Sequence, residues 1–113
     1  MDRTKDVVFT DEFVRKFFHR EIFYAFENLN EFKDCVKNAI RTGCIMPHPE
    51  KGQTHYWCLL KSDRAGLVKI PLEETKGSIV AITVAHPVTD PRCEESYKRF
   101  SSSQEKVNNT RGE

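Results

Sequence analysis

The stretches THYWCLLKS and LVKIPLE hold the side chains best suited to chemistry on a polyanion. His55, Trp57, Lys61 and Lys69 share the parity that a β-strand assigns to one face, and Ala81, Thr83 and Ala85 continue that face with short side chains. Ammonium groups there meet phosphates, the Trp57 indole offers a platform for an unstacked base, and the short residues leave room for a strand. This is the pattern of a shallow RNA-binding face. The same lysines would also serve solubility on the wet side of a half-buried sheet, and Trp57 would pack equally well beneath a C-terminal tail.

His86 ends the run SIVAITVAH and is followed at once by Pro87. By parity it joins Val80, Ile82 and Val84 on the helix side, where a ring nitrogen would satisfy a loop carbonyl or helix end at the sheet rim. A rim pocket shared with His48 or His55 is the functional alternative. Cys44, His48, His55 and Cys58 place four possible metal ligands within fifteen residues. Their spacing fits no paired zinc pattern, and His55 and Cys58 fall on opposite faces of one strand, so no metal and no cofactor is expected. The cysteines lack a CxxC pair and are expected to be reduced thiols.

The elements that must position these groups are legible from periodicity. DVVF at 6–9 reads as a short strand or an extended lead-in. Thr10, with Asp11 and Glu12 after it, starts a helix running to about Phe26, whose stripe is Val14, Phe17, Phe18, Ile22, Ala25 and Phe26. Arg15, Lys16, His19 and Arg20 fall elsewhere on the cylinder as a cationic ridge that could serve solvation or docking. Asn28 and Glu31 form a capping box for a second helix, with Phe32, Cys35, Val36, Ala39 and Ile40 inside and Gly43 as its stop. A meander follows, its strands divided by DRAG and ETKG, with Tyr56, Cys58, Leu60, Val68, Ile70, Leu72, Val80, Ile82 and Val84 on the core face. Pro71 cannot donate to a ladder and belongs at an unpaired edge position or a bulge.

The expected fold is therefore α+β: two N-terminal helices packed on one face of a small antiparallel β-meander of three to four strands. Residues 1–90 make the single domain, 91–100 a short helix anchored by Tyr97 and Phe100, and 101–113 a polar flexible tail. A chain of 113 residues with 38% hydrophobic and 31% charged residues can bury such a core. The net charge of +1 provides no global field, so a polyanion must be met by local clustering. No apolar run approaches membrane-spanning length and the N-terminus has no secretion-type stretch, which points to the cytoplasm and no membrane partner. Glycine-rich phosphate loops, nucleophile elbows and repeats are missing from the sequence.

With FTDEFVRKF, LNEFKDCVKNAIRTGCIMPHPEKG and LVKIPLEETKGSIVAITVAHP in this order, residues 8–87 resemble the RelE/ParE-like small bacterial toxin superfamily, related in fold to barnase-type and EndoU-type ribonucleases. The resemblance implies a metal-independent ribonuclease acting on an open sheet face and a cognate antitoxin as partner. It implies His55 as proton carrier and Lys61 and Lys69 on the phosphate; with the rim imidazole added from its own position, the candidate catalytic set is His55, Lys69 and His86. Trp57, Lys61, Arg64 and Thr83 would then bind RNA. A noncatalytic protein- or nucleic-acid-binding module on the same scaffold is the other reading.

Overall fold

A computed structural model describes residues 1–20 and 22–111. Strand β1 (Asp6–Phe9) leads into helix α1 (Asp11–His19), a 3-10 turn (Ile22–Tyr24) and helix α2 (Leu29–Thr42). Strands β2 (Cys44–Pro47), β3 (His55–Ser62), β4 (Gly66–Glu74) and β5 (Ser78–Ala81) follow, then helix α3 (Pro91–Arg111). The class is α+β, but the five-stranded sheet is mixed rather than a three- to four-stranded antiparallel meander. Its order is β1-β5-β4-β3-β2, with β1 parallel to β5 and the other neighbours antiparallel.

Local chemistry explains the helix starts. The Thr10 hydroxyl accepts the Phe13 N–H at 3.0 Å and donates to the Ile82 carbonyl at 2.6 Å, so one side chain both caps α1 and ties it to the chain beyond β5. The first helix stops at His19 rather than near Phe26, because Ile22, Phe23 and Tyr24 are weak helix formers. The break turns Ile22 and Phe26 into the core and leaves Phe18, expected in the buried stripe, 54% exposed.

Asn28 Oδ1 accepts the Glu31 N–H at 2.8 Å, and the Glu31 carboxylate reaches back to the Glu27 N–H. Phe32, Val36 and Ile40, one helical turn apart, are fully buried. Gly43 closes α2 by close approach: a Cβ there would stand 2.7 Å from the Ala39 carbonyl oxygen, whose hydrogen bond the Gly43 N–H makes. Replacing Asn28 with alanine should remove about 1 kcal/mol of stability, seen as a lower urea midpoint at unchanged slope.

The core face of β3 and β4 is as the alternation predicts, with Cys58, Leu60, Val68, Ile70 and Leu72 against α1 and α2. On the last strand the parity is different. Leu72 opposes Ala81 but Lys69 opposes Ala85, so three steps on β4 face four on the other side and one residue is inserted. Ile79, Ala81 and Val84 are therefore the buried set, and Val80 and Ile82 are not. Pro71 marks the spot: its carbonyl accepts the Ile82 N–H at 3.0 Å. Since both main-chain groups of a strand residue point the same way, its missing N–H faces this irregular stretch and no ladder bond is lost.

The other face of the sheet is covered over β2 and β3. Asp90 caps α3 by accepting the Arg92 N–H at 2.9 Å, and Pro91 occupies the first helical position. Cys93, Tyr97 and Phe100 then fall on one side of α3 and pack on Cys44, Trp57 and Leu59. The helix continues to Arg111, where the sequence suggested a short helix to 100 and then a polar tail. Over β2 and β3 the expectation of an open sheet face is thus corrected: α3 lies on it.

Candidate functional site

The residues expected on that face are spread along it. His55 begins β3 and Lys61 lies near its end, which at about 3.3 Å per residue separates them by roughly 20 Å. His55 Nε2 is 3.1 Å from Glu73 Oε2, its cross-strand neighbour, so its ring is engaged by a carboxylate on the sheet. Thr83 is half-buried in the irregular stretch after β5, two residues before the Ala85 that bridges to Lys69. Lys61 is exposed beside Leu67 and Tyr97 at the α3 flank. His55, Lys61 and Lys69 do not form one constellation.

Trp57 is only 6% exposed and already has a cation on its ring, with Lys69 Nζ 4.0 Å from the centroid and the Arg92 guanidinium 5.9 Å away. The His48 ring packs on it at 4.8 Å. A base cannot stack on this indole, whose face the Lys69 ammonium already occupies. His48 Nδ1 accepts the N–H groups of Glu50 and Lys51, both at 3.0 Å. Desolvation, with the Lys51 ammonium adding to it, holds the His48 pKa below the ordinary histidine value.

Arg92 is fixed from the other side by Asp90, its Nη2 2.7 Å from Oδ2 and its Nε 3.1 Å from Oδ1. These hydrogen bonds hold the Asp90 carboxyl at about 2 and raise the Arg92 guanidinium further. Trp57, Lys69, Arg92 and Asp90 form a clamp on the first turn of α3. A carboxyl depressed from 3.8 to about 2 contributes stability that is complete above pH 4 and lost as the pH falls through 2. Emission from Trp57, the sole tryptophan, should shift to the red across that interval, and Arg92→Gln should remove the step.

His86 and Arg64 do meet, at the opposite rim. Gly66, at φ +71°, closes the β3–β4 turn in a conformation that a side chain would strain, and the Ala65 N–H bonds Ser62 Oγ at 2.8 Å. That turn aims the Ala65 carbonyl at His86, whose Nε2 lies 2.6 Å from it. A carbonyl only accepts, so Nε2 carries the hydrogen and Nδ1 is left for proton exchange. The loop-carbonyl role expected of the ring fits this contact, but the neighbouring histidine is neither His48 nor His55. The cleft of about 430 Å³ beside it is lined by His19, Arg20, Tyr24, Arg64, His86 and Pro87 among others.

Chain breaks and turns place each group. His19 is the last residue of α1, and the Arg20 N–H closes the helix on the Lys16 carbonyl at 2.9 Å. Tyr24 ends the 3-10 turn, and its carbonyl receives Arg64 Nη1 at 3.4 Å. Among the described residues, the lining contains two imidazoles, two guanidiniums and no carboxylate. Sequence reasoning placed His19 and Arg20 on a solvated ridge. The signal for them was the early end of α1, which puts helix-terminal side chains beside the sheet rim.

No three His, Cys, Asp or Glu side chains gather as metal ligands among the described residues. Cys44 lies under α3 whereas Cys58 is in the main core, where burial pushes its thiol up to about 12. No described helix is long and apolar enough to cross a membrane. No family model matches the chain, and no curated protein or solved structure is recognisably similar to it.

Proposed function

We propose that the chain is a metal-independent ribonuclease that binds RNA in the rim cleft, not on the sheet face. The observation that carries this reading is the meeting of His19, His86, Arg20 and Arg64 around one cavity. Guanidiniums suit a phosphodiester, and two imidazoles suit a reaction in which one proton is removed and another supplied. His86 Nδ1 would take the proton of a ribose 2′-hydroxyl as its oxygen bonds to phosphorus. His19 would protonate the departing 5′-oxygen as the P–O5′ bond breaks. Products are a 2′,3′-cyclic phosphate and a 5′-hydroxyl, and Arg20 and Arg64 would neutralise charge on the phosphorane.

Incubating purified protein with mixed-sequence RNA in EDTA tests this, with end-group analysis for the cyclic phosphate. Shortened RNA with those ends supports it, and Arg64→Gln should weaken both binding and cleavage. RNA that is neither bound nor cut overturns it. Binding without cleavage selects the noncatalytic module, a reading favoured by the structural bond from His86 to Ala65. A toxin of RelE type, cytoplasmic and held by an antitoxin, is the biological setting proposed for the activity, and growth arrest on expression alone tests that extension.

A further inference from the structure

Beside the cleft lies an aromatic surface that the core does not explain. Phe18, Phe23 and Tyr24 are 54%, 39% and 62% exposed, and Val8 on β1 is the one other exposed large hydrophobic among the described residues. Phe18 and Phe23 have ring centroids 6.3 Å apart, Phe23 and Tyr24 4.4 Å, and both pairs are tilted by 34°. Three neighbouring rings kept in water, with no aliphatic side chain among them, offer faces rather than a greasy patch. Tyr24 belongs to the surface and to the cleft, and its carbonyl holds Arg64.

We propose that Phe18, Phe23 and Tyr24 are a stacking platform for unpaired bases, which makes single-stranded RNA the ligand class of the cleft. The inference rests on the RNA reading above and deepens it. Charge complementarity selects the occupant: a strand whose phosphates meet Arg20 and Arg64 places its neighbouring bases over these rings. Phe23 and Tyr24, 4.4 Å apart, cover part of each other, so unpaired bases would lie on the outward faces of the rings, which a duplex, with no free base faces to give, could not use. Sequence tolerance follows, since every base has a π-face.

Anisotropy with labelled 2′-O-methyl octamers, which lack the 2′-hydroxyl needed for cleavage, tests the platform on the full chain. The single-stranded octamer should bind at least tenfold more tightly than an abasic octamer of the same length. Phe18→Ala with Phe23→Ala, both at exposed positions outside the cleft lining, should erase that difference and leave abasic binding unchanged, whereas Arg64→Gln should weaken both ligands alike. Tyr24→Trp should keep binding and show emission quenched by the octamer but not by its abasic form, over a constant signal from buried Trp57. Equal binding of the two ligands overturns the platform and leaves the phosphate cleft standing. Failure of both to bind overturns the RNA reading itself. A dimer that dissociates in the Phe18→Ala/Phe23→Ala variant would identify the rings as a protein interface and also overturn the platform.

Discussion

Phe32→Ala is expected to destabilise the protein by about 3–5 kcal/mol, the range for emptying a buried aromatic site. Phe32 has no exposed surface and is the hub of an aromatic cluster, its ring centroid 5.4 Å from Phe13, 5.2 Å from Phe17 and 4.8 Å from Phe26. Phe13 and Phe17 come from α1 and Phe26 from the segment between it and α2, so the cavity would sit where the helix layer is joined. Backbone on several sides cannot collapse into it. Small domains have only about 5–15 kcal/mol in total, so the variant should lose a large share of its stability. Phe18→Ala, removing the same side chain from a position 54% exposed, should change stability by about 0.5 kcal/mol or less. Urea unfolding followed by far-UV dichroism compares the two. A Phe32→Ala loss below about 1 kcal/mol would mean that the helix layer is not organised around this ring.

The contrast between these two phenylalanines also marks the limit of reading this fold from sequence. Phe32, Val36 and Ile40 were legible because a cap, a stripe and a glycine stop are local signals that agree. Phe18 was misplaced because the stripe of α1 continues in register into Ile22 and Phe26, although the chain leaves the helix between them. β3 and β4 kept their alternation, so their core residues were recognisable. β5 did not, since the inserted residue before Ala85 is a property of pairing with β4, and Pro71 was its only advance sign. Parallel pairing of β1 with β5 joins Asp6–Phe9 to Ser78–Ala81, and nothing local encodes it. The weight of α3 was underestimated for a different reason. Its apolar side is thin, with Cys93, Tyr97 and Phe100 as anchors, but the Arg92–Trp57–Lys69 contacts add a polar attachment that periodicity does not register.

Covering one face with α3 moves the chemistry to the rim. Trp57 and Lys69 share the sheet face expected to meet RNA, but here they meet each other, with Lys69 Nζ 4.0 Å from the indole. Arg64 and His86 were recognisable as a turn cation and a rim imidazole. Their partners His19 and Arg20 come from a helix end far away in sequence, a juxtaposition made by tertiary packing alone.

His86→Gln should separate the two duties of that imidazole. A glutamine amide can donate to the Ala65 carbonyl from about the position of Nε2, so stability should remain within about 1 kcal/mol of the parent, the net worth of one hydrogen bond. It cannot accept and return a proton at neutral pH, so RNA cleavage should fall by about 10²–10⁴-fold, the usual contribution of a general base or acid. Affinity for a single-stranded 2′-O-methyl octamer should be nearly unchanged, because Arg20, Arg64 and the rings are left in place. His86→Phe provides the converse: it removes the donor, leaves the half-buried Ala65 carbonyl without it, and should lose about 1–3 kcal/mol as well as activity. If His19 and His86 act in one step, His19→Ala on the His86→Gln background should add much less than it does alone. A His86→Gln protein that cuts RNA at the parental rate would reduce the ring to its bond with Ala65 and assign the proton transfer elsewhere.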